Sequence, residues 1–202
     1  MPAVSLAATV ARAIRQIDIL EDYYKTSSVL EPRFQCLVAE VITLRLFAVL
    51  EDGIAELACK LAMGARYLSG RSPLLFVRSR SLNAAQGNLA NYGRQSGIQL
   101  RWSKASYIRG TVRYVFDPAE PFNKVAIIYG NIINEMRVVR NYVAHKNEST
   151  RKAFKVVIRQ RFGGTLRISA GSFLIATKRL PVPIMREYLV QTRVVLHDFA
   201  AG

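Results

Sequence analysis

The chain has 202 residues, half of them apolar, which fits one globular domain with a sizeable core, and its formal charge of +15 points towards nucleic acid or another polyanion. No apolar run is long enough to span a membrane and no leader with a cleavage site is evident, so neither membrane insertion nor secretion is expected. Two cysteines, Cys36 and Cys59, and two histidines are too few for a disulfide framework or a zinc site, so no metal or other cofactor is expected and the cysteines fit a reducing, cytoplasmic setting.

A first helix, to about residue 25, sets Leu6, Val10, Ile14, Ile17 and Leu20 against Arg12 and Arg15. From Pro32, well placed as a first helical residue, apolar positions at Phe34, Leu37, Val38, Val41, Leu44, Val49, Leu57 and Leu61 predict one long core helix, or two with a kink near Gly53. Glu51 and Asp52 interrupt that pattern on its polar side. Residues 64–73, with Gly, Ser and Pro, read as a loop. The charge then changes character: residues 71–116 hold eight basic and no acidic residues, and residues 151–202 hold ten basic and two acidic, so the whole excess sits in two blocks.

Within the first block a helix over about 103–116 places Ile108, Val112 and Val115 on one side and Arg109 and Arg113 on another, with Arg101 and Trp102 leading into it. Lys104, Tyr107 and Tyr114 complete a mixture of cations and aromatic rings of the kind that holds single-stranded nucleic acid by backbone charge and base stacking. The alternative is that the rings are core residues and the arginines merely solvated. A further helix, over about 122–145, carries Val125, Ile128, Tyr129, Ile132, Met136, Val139 and Val143 at steps of three and four, and a second line of Asn134, Arg137, Asn141 and His145 on a different face. After it, Glu148, Ser149 and Thr150 suit a helix start. Phe154, Val157, Ile158 and Phe162 then give an apolar face, and Arg151, Lys155 and Arg159 a basic row beside Lys152, until Gly163 and Gly164 stop the helix. Residues 165–177, around Gly171, suit a small β-hairpin, and a helix over about 183–199 closes the chain and carries His197, which reads as a surface histidine. The fold class is therefore mainly α: a single helical domain with its core over about 31–162 and a C-terminal helical appendage over about 181–199.

The chemistry concentrates in Arg140, Asn141, Tyr142, Val143, Ala144 and His145. A histidine can exchange protons near neutral pH, and an arginine keeps its charge and offers phosphate a planar fork of donors, a pairing suited to phosphodiester chemistry. The bland alternative is a solvated polar face whose basic end meets the helix dipole. Arg140, then Asn141, then His145 after four intervening residues resembles the signature of the HEPN superfamily, in which Arg and His are separated by four to six residues and Asn, Asp or His commonly follows the Arg. The match is specific over about ten residues. In the branch of toxins partnered by a nucleotidyltransferase antitoxin a Tyr stands two positions after the His; here that position is Asn147, so the chain falls outside that branch.

The resemblance implies a HEPN-like helical bundle, a homodimer in which both Arg-His sets line one cleft, and a metal-independent endoribonuclease that cuts RNA by attack of the ribose hydroxyl on its own phosphate. It also implies a toxin or phage-defence setting with an antitoxin or sensor partner. Arg140 and His145 are the expected catalytic pair, Asn141 a supporting group on the face of His145, Arg137 a further supporting cation, and Glu51 an orienting carboxylate for Arg140. Arg101, Arg109, Arg113, Lys152, Lys155 and Arg159 are expected to form a continuous positive surface flanking the cleft and to hold RNA. The other class that fits is a non-catalytic, HEPN-like nucleic-acid-binding or scaffold protein, in which Arg140 and His145 are structural.

Overall fold

A computed structural model describes residues 5–92, 100–164, 166–177 and 180–202. Helix α1, Leu6–Thr26, begins where the Ser5 hydroxyl accepts from the Ala8 N–H, and it lays Leu6, Val10, Ala13 and Ile17 against α2, Pro32–Ala62. The two helices are clasped at one end. Lys60 Nζ donates to Ser5 O at 3.0 Å and to Thr9 Oγ1 at 2.7 Å, and Glu56 takes both Thr9 Oγ1 at 2.8 Å and the Arg12 guanidinium.

Helix α2 runs as a single element through Gly53. The glycine marks a close approach and not a kink: a Cβ there would lie 2.6 Å from a methyl of Leu196, which belongs to the last helix of the chain, Ile184–Ala201. Between α2 and that last helix come α3 (Leu82–Asn91), α4 (Ala105–Val112), α5 (Pro121–Ile128), α6 (Gly130–His145), α7 (Glu148–Phe162) and α8 (Ala170–Ile175), which makes the last one α9. Among the described residues there is no strand, only an isolated bridge between Leu75 and Phe116. The molecule is mainly α.

Four expectations need correction. The helix over 122–145 is two helices, α5 and α6, broken at Tyr129, whose backbone (φ −91°, ψ 8°) leaves the helical region. The break is held because Tyr129 donates its hydroxyl to Asp198 on α9, and because bare Gly130 lets α4 approach: a Cβ there would meet Ala105 Cβ at 3.2 Å. It also turns Ile128 out to solvent instead of into the core. The region expected as a hairpin is α8, a helix capped by Ser169 accepting from the Ser172 N–H; Thr165 lies outside the described residues. A glycine flanked by apolar residues fits either structure, and packing on α2 decides. Gly171 sits against Cys36 and donates its N–H to Glu40 Oε1 at 3.0 Å.

The C-terminal helix is not an appendage. Ile184, Met185, Tyr188, Leu189, Val195, Leu196 and Phe199 are buried, α9 packs on α1, α2, α5 and α8, and Arg193 binds Asp18 at 2.7 Å and Glu21 at 2.6 Å on α1, so the core runs from α1 to α9. Finally, Phe34, Leu37 and Val41, expected in the core, are exposed. Leu37 and Val41, with Ile19, Tyr23, Val29 and Leu30, line an open apolar groove of about 860 Å³ between α1 and α2.

Two polar clusters, one buried and one half-buried, fix the remaining helices. Glu120, fully buried ahead of α5, accepts from the Tyr67 hydroxyl and from the Leu74 N–H at 2.6 Å, and so anchors the loop after α2. Arg161 on α7 makes paired bonds to Glu135 on α6 and Glu187 on α9 at 2.8–3.1 Å, and the Tyr188 hydroxyl donates to Glu135 at 2.8 Å. Such geometry satisfies both carboxylates, and removing the shared cation would leave two negative charges facing each other.

The Gly171 contact predicts a large local effect. An alanine Cβ would lie 2.5 Å from Cys36 Cβ and 2.6 Å from the Cys36 carbonyl, which backbone cannot yield cheaply, so Gly171→Ala should cost about 1–3 kcal/mol in denaturant unfolding. Gly110→Ala, where a Cβ enters open space within α4, should be neutral or stabilising by up to about 1 kcal/mol.

Candidate nucleic-acid site around Arg140

Helix α6 packs on α2 and α7 and buries Ile133, Met136 and Val139, and the Tyr142 ring stacks on Phe154 of α7 at 4.5 Å. The helix ends with Lys146 in the left-handed conformation (φ 45°), its N–H returned to Tyr142 O and its Nζ 3.3 Å from Glu40 Oε2 on α2. His145 is thus the last helical residue. Its ring is exposed and makes no hydrogen bond or ion pair with any described residue.

Arg140 is half-buried on the side of α6 that faces α2. At 100° per residue it stands about 140° around the helix from His145, so one chain does not present the pair on one face. Its Nη1 donates to Asn141 Oδ1 at 3.2 Å. Asn141, expected to support His145, is therefore engaged by Arg140. One turn earlier, Arg137 Nη2 donates to Asn134 Oδ1 at 2.9 Å, while Arg137 Nε is buried and makes no hydrogen bond.

Glu51 comes close enough to Arg140 for the two charges to act on each other, although no ion pair joins them. Burial pushes the Glu51 carboxyl above the usual carboxylate range; the Arg140 guanidinium pulls it back only in part, and Asp52 adds to the rise. Glu51 and Asp52 also form one wall of a concavity of about 540 Å³, whose other wall is Arg101, Trp102, Ser103 and Tyr107. The first basic block is thereby brought beside the central helix. Arg101 is pinned through its backbone, which exchanges contacts with Thr111 Oγ1 at 3.1 and 3.4 Å, and its guanidinium lies 5.4 Å from the Tyr107 ring centre, with Lys104 Nζ at 5.8 Å from the same ring.

The other expected RNA-binding residues lie on two flanks. Arg109 and Arg113 are exposed on and just after α4, Arg113 over the Tyr114 ring at 5.3 Å. On α7, Lys155 and Arg159 are exposed and Lys152 pairs with Glu148 at 2.8 Å. Lys155 and Arg151 line a second concavity, of about 470 Å³, with Tyr142, Phe154 and Arg167. Arg167 was missed, because in the sequence it stands in the presumed hairpin, away from the helical row it joins in space. Asp52 was passed over as an interruption of a core pattern, although its adjacency to Glu51 on an otherwise apolar helix was the available signal.

Among the described residues no helix is long and apolar enough to cross a membrane, and no group of three or more His, Cys, Asp or Glu side chains is placed to hold a metal ion. Comparison with protein-family models, with curated proteins and with solved structures returns no match.

The position of Glu51 carries a sign that can be checked. Its carboxyl titrates higher folded than unfolded, so its contribution favours the fold only below the unfolded value and is lost as pH rises through the folded one. Glu51→Gln should therefore melt higher than wild type at neutral pH, by about 2–4 °C for each kcal/mol relieved, with the gain closing below about pH 4. A lower melting temperature at neutral pH would mean that the attraction to Arg140 outweighs burial.

Proposed function

We propose that the protein is a metal-independent endoribonuclease of HEPN type, acting as a homodimer in the manner of a toxin or phage-defence effector. The observation that supports it is the division of labour on α6: a half-buried Arg140 whose guanidinium is held by Asn141 beside the pocket, and a bare His145 at the helix end. Arg140 neutralises the scissile phosphate and the charge that develops on its oxygens. An imidazole takes the proton of the ribose hydroxyl as that oxygen attacks phosphorus, and a second imidazole gives a proton to the departing oxygen. The products are a 2′,3′-cyclic phosphate and a 5′-hydroxyl.

One chain supplies one such imidazole, which is the reason for a dimer. The open groove between α1 and α2 is the surface that suits it: monomeric proteins rarely leave so continuous an apolar stripe uncovered. It adjoins the site along α2. Asp52 lines both the groove and the pocket, and Glu40, which holds Lys146 next to His145, precedes Val41 of the stripe. The paired surface is thus α1 and α2, with the end of α6 at its margin, and a twofold axis there supplies both histidines to one cleft.

RNA binding rests on the basic residues of α4 and α7, and the partners proposed beyond RNA and a second copy are an antitoxin or sensor protein. A non-catalytic binding protein is favoured by one fact, that no described group orients the His145 ring.

Cleavage separates the readings. Purified protein incubated with mixed RNA in chelator should cut it with a rate maximum near neutral pH. His145→Ala should abolish cutting and Arg140→Ala should lower it by about 100-fold or more, with RNA binding largely kept in both. Full activity in His145→Ala, or cutting only with added metal, would overturn the nuclease. For the dimer, light scattering should give twice 22.6 kDa for wild type and 22.6 kDa for Leu37→Glu combined with Val41→Glu, which should also lose cleavage. An active monomer would overturn the shared cleft.

A further inference from the structure

The concavity between α2 and the segment that leads into α4 is not needed for the phosphate chemistry, yet it is built from groups suited to a nucleobase. One wall offers Trp102, half-buried and packed on the core, and Tyr107; the opposite wall offers the carboxylates of Glu51 and Asp52. Aromatic faces accept any base by stacking. A carboxylate is more selective, because it only accepts hydrogen bonds, so the edge it receives must present donors.

We infer that this concavity is a guanine subsite of the RNA cleft, a reading that rests on the nuclease assignment. Guanine is the base whose Watson–Crick edge sets two donors side by side, N1–H and the N2 amino group, which match the two oxygens of the Glu51 carboxylate. Adenine and cytosine each present an acceptor ring nitrogen beside their amino group, and uracil places carbonyls on both sides of its single N–H. An acceptor facing a carboxylate is left unpaired in a half-buried site, and that mismatch discriminates more strongly than a missing contact.

The surroundings agree. Burial disfavours a charged carboxyl at Glu51 as far as folding is concerned, so the position is better explained by a ligand that donates to it than by stability. Arg140 on α6 lies within electrostatic reach of Glu51, and Arg101 is on the facing wall, so phosphates attached to a base in the pocket meet cations as well as the carboxylates. Arg101 keeps its guanidinium on the Tyr107 ring, where it extends the stacking surface.

Trp102 is the single tryptophan of the chain, so its fluorescence reports this pocket alone. Titrated in turn with the 5′-monophosphates of guanosine, adenosine, cytidine and uridine, the wild-type protein should be quenched by the guanine nucleotide at concentrations about tenfold or more below the others. Glu51→Gln, which keeps the shape and loses the acceptor pair, should still be quenched but without preference for guanine. Equal quenching by all four, no quenching at millimolar concentration, or a guanine preference that survives Glu51→Gln would each overturn the subsite. The His145→Ala protein separates the two claims. If it and the wild type prefer guanine and neither cuts RNA, the subsite stands and the nuclease falls; cutting without any guanine preference does the reverse.

Discussion

Helix α2 is the constraint on which the rest of the structure depends. It is apolar around most of its circumference, so it must be covered on several sides, and α1, α3, α6, α8 and α9 all pack against it. Two glycines set how closely. Gly53 on α2 admits Leu196 of α9, and Gly171 on α8 seats that short helix against Cys36. The stripe left over, with Leu37 and Val41, is the groove between α1 and α2. The same helix carries Glu40 and Glu51, which meet Lys146 and the charge of Arg140, so the order of the site along α6 is laid out against α2.

The polar interior serves position more than net stability. Arg161 gathers Glu135, Glu187 and through Glu135 the Tyr188 hydroxyl, tying α6, α7 and α9 in one arrangement. Replaced by hydrophobic residues of like volume such a cluster is often no less stable. What it fixes here is the rotation of α6, with Tyr142 on Phe154 and Arg140 towards α2. Burial and the paired carboxylates raise the Tyr188 hydroxyl well above its ordinary range, which keeps it a donor to Glu135.

The helices with long runs at steps of three and four were legible: the spans around Val10, Leu57, Met136 and Phe154 are helical, and Pro32, Gly163 and the loop after α2 fall where backbone chemistry puts them. The elements that escaped are short or locally neutral. The α3 segment has little apolar periodicity and is helical from a Ser81 cap, and α8 spans six residues around Gly171. The break at Tyr129 has only Gly130 as a local signal, since the apolar spacing passes through it; what holds it is tertiary, the Tyr129 bond to Asp198, 69 residues away, and the approach of α4 at Gly130.

By itself the sequence determined that this is a helical chain with its positive charge in two blocks and with Arg140, Asn141 and His145 near the end of a core helix, because these are matters of local periodicity and count. Only the tertiary structure decided which side of that helix meets what. It turned Arg140 towards Glu51, gave Asn141 to Arg140 and left His145 bare, brought Arg101, Trp102 and Tyr107 opposite Glu51 and Asp52, and exposed Leu37 and Val41. Residues far apart in the chain meet only through packing, and an apolar residue reads the same in a sequence whether a neighbour covers it or solvent does.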